Sequence, residues 1–454
     1  MKLKAFWMAC AATGALWAGT QIDDVSLAVN AAGNFVTVNY ALTGDEAIVT
    51  LDVLTNGVSV GGANLRRVGG DVNKIVAAGE RTIWWRPGAD CDVAGTDVQA
   101  VVRTWTREAP PDYTAFALTG TKDRRFYTSE DALPYGIGSD AYRTGYLLLR
   151  RIPAAGRSFT MGSSAFEPAR DNNMNREDAH PVSFTKDFWL GVFEFTQRQL
   201  DITAPTTEHG YFYTNELCAA TRPADCLWYR MMHGGPNMNG PNRAGAIYGV
   251  LNALSLNTGL APDWGHADAL YYGFNFPTEA QWEYACRAGT ATPLYNGRYQ
   301  LNNGSQIKGV HEDGLDAIAR YCANGGLVDD GTGELVNAPG DVDTTLGTAR
   351  VGSYRPNAFG LYDMLGNVFE ICLDVGVGSL GSAAQVDPLR MMTGDDKTQI
   401  VARGGNATGF SYYCRASQRV MPKSVSTGNN DSTLAAKLDA AFGYGVRVML
   451  PMGR

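Results

Sequence analysis

The sequence lacks the features that mark several classes of protein. Its 38 lysines and arginines form no basic run and the net charge is −8, so binding to nucleic-acid phosphates is not expected. Beyond the N-terminus, no apolar stretch reaches the roughly 20 residues that a membrane-spanning helix needs. No Ser/His/Asp order typical of a hydrolase is recognisable, and no phosphate-binding loop is present. These absences argue against nucleic-acid binding, common hydrolase chemistry and nucleotide binding.

Histidine is scarce as well. The chain has five histidines, and none has a second histidine within four positions. Iron sites commonly use two histidines and one carboxylate. The spacing therefore gives no iron ligand set, and the histidines are interpreted as surface or hydrogen-bonded side chains.

The N-terminus has the organisation of a secretory signal. Lys2 and Lys4 precede an apolar segment from Ala5 to Trp17, and small residues follow at Ala18 and Gly19. This order predicts a signal peptide over residues 1–19. The mature chain is then expected to be secreted, periplasmic or on the cell surface, where disulfides persist. It is not expected to span a membrane once the signal is removed.

Residues 20–107 show the period-two alternation of β-strands. In "NFVTVNYAL" and "AIVTLDV", apolar residues occupy every second position, and Asn56-Gly57 supplies a hairpin-type turn. Several short strands over this length predict a small all-β sandwich of immunoglobulin or fibronectin type. Residues 108–142, which begin near Pro110-Pro111, are predicted to be an irregular linker.

Residues 143–454 contain two clear helical patterns. One is "GAIYGVLNALSLNTGL", with apolar residues at helical spacing and Gly259 as a stop. The other is "FPTEAQWEYACRAGT", where Thr278 and Gln281 form a predicted capping box and Cys286 falls on the inward face. Glycine, proline and asparagine punctuate the remainder, which predicts a loop-rich α+β domain.

The stretch "FPTEAQWEYACRAGT" resembles the signature of the formylglycine-generating-enzyme (sulfatase-modifying factor) family. "IPAAGRSFTMGS", "PNAFGLYDMLGNVFEICLD" and "ARGG…CRASQR…GYGVRV" resemble further family segments in the family's order, over residues 146–449. The resemblance implies a C-type-lectin-like fold. It leaves function open, because the family contains cysteine oxidases, iron-dependent relatives and ligand-binding proteins without chemistry.

The oxidases of this family bind copper(I) through two cysteines that follow a Gly-Gly pair. Here the corresponding interval, Asn406–Tyr413, contains no cysteine, so copper is not expected. Counted without gaps, Cys414 stands at the offset of the second catalytic cysteine and is the alternative catalytic residue. Whether the chain is an enzyme therefore stays open. The alternative to a degenerate domain is an active formylglycine-generating oxidase or another oxidoreductase of the family.

Removal of the signal leaves seven cysteines, an odd number, so at least one has no intramolecular partner. The family resemblance implies a disulfide between Cys286 and Cys414. Two further pairs are plausible, although spacing does not fix connectivity: Cys322 with Cys372, and Cys218 with Cys226.

Calcium is the metal that the resemblance favours. Family members with known sites imply side-chain ligands at Asp363 and Glu370 and carbonyl ligands at Gly366 and Val368, in a structural role. Asn324 is a candidate for a second site. The alternative is that these residues cap turns and bind nothing.

The interval before Cys414 has the composition of a binding loop. Asparagine, threonine, serine and tyrosine offer adaptable hydrogen bonds and rigid amphipathic contacts. The predicted ligand is unidentified, a carbohydrate or a protein, and an ordinary exposed loop is the alternative. The candidate ligand-binding residues are Asn406, Thr408, Phe410, Ser411, Tyr412 and Tyr413.

Overall fold

A computed structural model of the chain shows a mixed α+β protein, rich in sheet and poor in helix. It forms two compact units, the first from residues 1–116 and 123–142 and the second from residues 117–122 and 143–453. The structure describes residues 6–7, 19–30, 35–87, 97–170, 176–205, 219–233, 249–260, 273–298, 311–325, 327–329, 335–337, 347–390, 399–422 and 443–452.

The first unit is built almost entirely from short strands, as its alternating sequence predicts. Its helical turns are α1 (Gly61–Asn64) and a 3-10 turn (Glu130–Ala132). Its strands are β1 (Phe6–Trp7), β2 (Gln21–Asn30), β3 (Phe35–Thr43), β4 (Ala47–Thr55), β5 (Val58–Ser59), β6 (Val68–Gly70), β7 (Lys74–Val76), β8 (Gly79–Trp85), β9 (Val98–Trp105), β10 (Tyr113–Ala117) and β11 (Arg124–Tyr127).

Two sheets of the first unit share one hydrophobic core. One has the order β2-β3-β8-β6, and the other the order β1-β9-β4-β5 with β7 also paired to β4. Every second residue of β3 is buried, as predicted, and packs with inward residues of β4, β8 and β9. Two large buried side chains keep their polar atoms bonded: Tyr40 donates to Asp71 O at 2.6 Å and Trp85 to Asn64 O at 2.8 Å. Asn56 and Gly57 both have positive φ, 51° and 81°, as the predicted turn requires.

The predicted linker, residues 108–142, is largely ordered, which corrects the sequence interpretation. β10 and β11 pair antiparallel, with Tyr113 opposite Tyr127. Phe126 is buried, and its N–H donates to Asn73 O at 2.9 Å. The prolines at 110–111 interrupt the strand pattern locally, but the apolar residues after them carry it on.

The second unit contains the remaining elements. Its 3-10 turns are Ala219–Thr221 and Ser411–Tyr413. Its helices are α2 (Ala141–Thr144), α3 (Gln197–Thr203), α4 (Tyr229–His233), α5 (Val250–Asn257) and α6 (Glu279–Arg287). Its strands are β12 (Tyr146–Ile152), β13 (Ser158–Met161), β14 (His180–Ser183), β15 (Phe188–Gly191), β16 (Ala319–Arg320), β17 (Leu327–Asp329), β18 (Leu335–Asn337), β19 (Leu365–Gly366), β20 (Phe369–Val375), β21 (Gln385–Val386), β22 (Ile400–Arg403), β23 (Tyr444–Gly445) and β24 (Met449–Pro451).

Small sheets frame the core of the second unit. β12 pairs β15 and β15 pairs β24, all antiparallel, while β20 lies between antiparallel β22 and parallel β23. β14 lies between β13 and β21. β16 pairs with β19, and β17 pairs with β18. Trp282 of α6 is fully buried in the core that these elements enclose. Because β20 and β22 are neighbours in one sheet, β20 lies close to the chain that follows β22.

Both predicted helices are confirmed. Thr278 Oγ1 accepts from Gln281 N at 3.1 Å, and Gln281 Oε1 accepts from Thr278 N at 2.9 Å, so α6 begins with the predicted capping box. Cys286 is buried on its inward face, as expected. α5 begins at Val250; the first residues of its predicted pattern, before 249, lie outside the described part of the chain.

Within the described residues, every helix is too short or too polar to cross a bilayer. Of the predicted signal peptide, the structure describes only Phe6, Trp7 and Gly19. Phe6 and Trp7 pair in parallel with Val101 and Val102 of β9. The signal peptide stays a prediction.

Candidate functional site

The chain after β22 turns sharply at a glycine pair, and this turn positions the candidate loop. Gly404 and Gly405 have φ of 94° and 84°, a region that residues with a side chain rarely adopt. A Cβ at Gly405 would lie 2.7 Å from the sulfur of Cys414. The loop can therefore close over Cys414 only because position 405 is glycine.

Backbone hydrogen bonds hold the rest of the loop. Gly409 N donates to Asn406 O at 3.1 Å, and Cys414 N donates to Ser411 O at 2.9 Å. Cys322 N donates to Gly409 O at 3.0 Å and joins the loop to the chain after β16. The loop is thus a fixed part of the unit.

The six candidate ligand-binding residues divide by exposure. Asn406 and Ser411 are buried, 7% and 3% exposed, and support the loop from inside. Ser411 donates to Glu312 Oε1 at 3.3 Å, whereas Asn406 Oδ1 is buried without a hydrogen-bond partner. The partly exposed members are Thr408, Phe410, Tyr412 and Tyr413.

The aromatic members form a continuous patch, here called the aromatic patch, which comprises Phe410, Tyr412, Tyr413, Phe369 and Tyr444. The rings of Phe410 and Tyr412 stack at 5.7 Å, and those of Tyr412 and Tyr413 lie 4.2 Å apart. Tyr413 meets Phe369 edge-on at 5.6 Å, and Phe369 stacks on Tyr444 at 5.2 Å. Burial, with Tyr413 nearby, raises the pKa of Tyr444 to about 12. The patch contains no carboxylate, amine or guanidinium group and offers ring faces and hydroxyls.

Cys286 and Cys414 are buried thiols, without the bond predicted between them. The sulfur of Cys286 lies 3.9 Å from Met364 O. Burial raises the pKa of the Cys414 thiol, and the nearby Cys322 raises it further. In this structure Cys414 therefore faces Cys322 and the glycine turn.

The predicted pair of Cys322 with Cys372 is also not formed. Cys372 is a buried thiol, so it makes no bond to Cys322. Cys226 is buried, while its predicted partner Cys218 lies outside the described residues.

We expect Cys414 to resist alkylation in the folded chain. It has no exposed surface, and burial keeps the thiol protonated, whereas the thiolate is the reactive form. Iodoacetamide at pH 7.5 followed by peptide mass spectrometry should show it unmodified before unfolding. Labelling after unfolding without reductant identifies a thiol, whereas a requirement for reductant identifies the predicted disulfide. Rapid labelling of the native chain would contradict the structure and favour a reactive Cys414.

Two of the predicted calcium ligands, Asp363 and Glu370, belong to a buried group of carboxylates. Asp363 Oδ2 accepts from Gly352 N at 2.5 Å, while Oδ1 is buried without a partner. Glu370 accepts from Trp282 Nε1 at 2.7 Å and from both Nε and a terminal nitrogen of Arg447, the latter at 2.6 Å. The orphan oxygen of Asp363 is the atom that a cation would satisfy, whereas Glu370 is already engaged.

Sequence reasoning missed the third carboxylate of this group, Glu194. It accepts from Asn367 Nδ2 at 2.5 Å and from Val368 N at 3.2 Å. Burial raises its pKa most, and Asp363 and Glu370 add to the rise. An acid inside the apolar run "FWLGVFEF" was the available signal, because a carboxylate in such a run is buried and needs a partner.

The negative charge of Glu370 also repels the carboxylate of Asp363. Burial raises its pKa to about 6, against the opposing effect of the Gly352 N–H and the positive charges of Arg447 and Arg143. Excess negative charge in a buried place is the electrostatic condition that favours a cation. Among the described residues no three His, Cys, Asp or Glu side chains converge as metal ligands. A calcium ion here would need carbonyl oxygens, as predicted for Gly366 and Val368.

The second candidate, Asn324, is used within its own turn. Its Oδ1 accepts from Tyr321 N at 2.8 Å and its Nδ2 donates to Ala319 O at 2.9 Å. Three acids that follow it in the sequence, Asp330, Asp341 and Asp343, lie outside the described residues. The geometry places Asn324 as a turn-forming residue.

A buried charge network fixes β22 beneath the loop. Arg403, fully buried, donates to Glu283 Oε2 at 2.7 Å and lies 3.0 Å from Glu279 Oε1. Arg419, beyond the loop, also pairs with Glu279. Both ends of the loop are therefore tied to helix α6.

A family model for the sulfatase-modifying factor enzyme 1-like domain matches residues 151–431. The chain belongs to this family. The match falls in the second unit and includes α6, the carboxylate group and the loop, as the sequence motifs predict.

Curated proteins to which the chain is similar include formylglycine-generating enzymes. That of Streptomyces coelicolor is 33% identical over 172 residues, 37% of this chain and 48% of the relative. That of Thermomonospora curvata is 31% identical over 170 residues, with the same coverage of 37% and 48%. That of Bos taurus is 31% identical over 151 residues, 32% of this chain and 34% of the relative. The chain thus spans half or less of the length of the curated relatives it matches.

Solved structures give weaker likenesses. PvdO from Pseudomonas aeruginosa has a TM-score of 0.43 at 22% identity, over 67% of this chain and 94% of that one. Treponema denticola variable protein 1 has a TM-score of 0.41 at 20% identity, over 70% and 97%.

Proposed function

We propose that this member of the sulfatase-modifying factor family is an exported, ligand-binding protein without formylglycine-generating activity. The observation that carries the proposal is the loop between Gly405 and Cys414. It contains no cysteine, and the thiol that closes it is fully buried with a raised pKa. Copper(I) in the oxidases needs two accessible soft thiolates, and this loop offers none.

The aromatic patch supports a binding role. It presents stacked, partly exposed rings on a loop that the glycine turn and the buried charge network hold in place. Rigid aromatic side chains give contact area at low entropic cost. The ligand is a carbohydrate or a protein surface that accepts ring faces. We also infer that calcium stabilises the second unit near Asp363, in a C-type-lectin-like arrangement, and that the first unit is a β-sandwich spacer.

The test of lost chemistry is direct. The full chain, loaded anaerobically with copper(I) and then given oxygen and a cysteine-containing sulfatase peptide, should leave the peptide thiol unchanged by mass spectrometry. A Cys414→Ser variant is the control and should behave identically. Conversion of the peptide to the aldehyde by the parent chain but not by C414S would establish the alternative, an active oxidase.

The test of binding removes part of the patch. A double Phe410→Ala, Tyr412→Ala variant should lose signals that the parent chain gives on a glycan array and on a panel of surface proteins. Phe166 is 89% exposed and lies outside the patch, so Phe166→Ala is a matched aromatic control that should keep them. Equal signals from the patch variant and the parent would remove the patch as the binding site.

A further inference from the structure

The outer face of the sheet β2-β3-β8-β6 in the first unit carries an exposed tryptophan, Trp84. Strand alternation directs Val36 and Ile83 into the core and leaves Thr82 and Trp84 of β8 on the opposite face. Trp84 is 44% exposed, which is unusual for the largest apolar side chain. Phe35 and Val68 line the same groove as Trp84, and an apolar surface rimmed by polar side chains is a feature of binding sites.

The ring of Trp84 is held in place by a glycine. Gly69 lies directly opposite Trp84 across the β6–β8 pair. A Cβ at position 69 would lie 2.3 Å from the six-membered ring. The indole therefore lies over bare backbone and is positioned by it.

Three arginines share a groove with this ring. Arg66, Arg67 and Arg86 line the same groove of about 820 Å³, and all three are exposed. None of them forms an ion pair with a described residue. Arg66 Nε donates a hydrogen bond to Pro134 O at 3.1 Å. In a chain of net charge −8, this groove is a local concentration of positive charge.

We propose that this groove, which we call the Trp84 groove, binds an oligosaccharide that carries carboxylate or sulfate groups. An aromatic face accepts the apolar face of a sugar ring, as it does in other amphipathic contacts. Guanidinium groups match the planar oxygens of a carboxylate or the oxygens of a sulfate. The volume is in the range of sites that enclose small ligands. This site is independent of the aromatic patch in the second unit.

Titration of the full chain with three defined sugars tests the proposal. The probes are trigalacturonate, which carries carboxylates, κ-carrageenan tetrasaccharide, which carries sulfates, and neutral maltotriose. We expect saturable calorimetric binding of at least one anionic sugar, weakened as NaCl is raised from 50 to 300 mM, and none of maltotriose. The anionic sugar that binds identifies whether the groove recognises carboxylate or sulfate groups.

Three variants locate the site. Trp84→Ala and the double Arg67→Gln, Arg86→Gln variant should each weaken binding at least tenfold, and the double variant should also flatten the salt dependence. Gly69→Ala should weaken binding with no change in charge, because its new methyl group displaces the ring. Gly69 lacks the positive φ that would strain this substitution.

Two control variants test whether the loss of binding is specific to the Trp84 groove. Arg107→Gln removes one exposed positive charge elsewhere in the unit, and Phe166→Ala removes one exposed aromatic ring; both should bind as the parent does. Failure of both anionic sugars to bind at 1 mM overturns the proposal. So does an unchanged affinity in W84A, or tighter binding of single-stranded DNA or phosphatidylglycerol vesicles than of the sugars.

Discussion

Glu279→Gln should lower the free energy of unfolding of the second unit by about 3–5 kcal/mol, the cost of removing one partner from a buried ion pair. Glu279 is 1% exposed and faces two guanidinium groups, those of Arg403 and Arg419. Loss of its charge leaves these two buried cations with less compensation. Glutamine keeps the size of the side chain, so the effect reports charge rather than a cavity.

Urea unfolding followed by tryptophan fluorescence and circular dichroism measures this effect. Glu46→Gln is the matched control, because Glu46 pairs with Arg107 at 2.6 Å while both side chains are about half exposed, 50% and 54%. Exposed pairs contribute about 0–1 kcal/mol. Equal destabilisation by the two substitutions would show that the buried network does not stabilise the fold.

The difference in stability between the parent chain and E279Q should change with pH in a defined direction. Burial alone would raise the pKa of Glu279, but the positive charges of Arg419 and Arg403 outweigh it and lower the pKa. The ionised form is therefore favoured by folding, and its contribution is complete above the unfolded pKa of about 4.3. As pH falls below that value towards the lower folded pKa, the difference in stability between the parent and E279Q should shrink.

Local sequence rules predicted the elements of this protein well. The capping box at Thr278 and the alternation in β3 depend on neighbours within four residues, and both are present as expected. A residue's partners in these patterns are fixed by chain geometry alone. The order of the family motifs likewise placed α6 and the loop in one domain.

Burial across long separations was not predictable in this way. Asn406 and Ser411 are residue types common in exposed loops, yet both are buried, and Ser411 donates to Glu312, 99 positions earlier in the chain. Arginines such as Arg403 and Arg447 would be placed on the surface by their average behaviour. Their burial follows from carboxylates that only the fold brings close.

Calcium should raise the thermal midpoint of the second unit by several degrees. A ligand at a hundred times its Kd stabilises by about 2.7 kcal/mol, and for a unit of this size each kcal/mol corresponds to roughly 2–4 °C. The physical reason is the orphan oxygen of Asp363 beside Glu194 and Glu370, whose mutual repulsion a divalent cation would relieve. The measurement is differential scanning fluorimetry in EDTA and then across a calcium titration, with magnesium in parallel. Because magnesium requires a stricter octahedral geometry, it should give a smaller shift.

Asp363→Asn isolates the charge at this site. Asparagine tolerates the positive φ of 55° at this position, so the backbone is kept while one negative charge is removed. Calcium affinity follows the number of charged ligands, so the midpoint of the calcium titration should move at least tenfold higher. In EDTA the variant should be no less stable than the parent, because a repelled buried carboxylate has been neutralised. Asp123→Asn, in an exposed pair with Arg125, should leave the calcium response unchanged. A parent chain indifferent to calcium, or a D363N titration that matches it, would refute calcium at Asp363 and leave Arg447 as the cation that compensates these carboxylates.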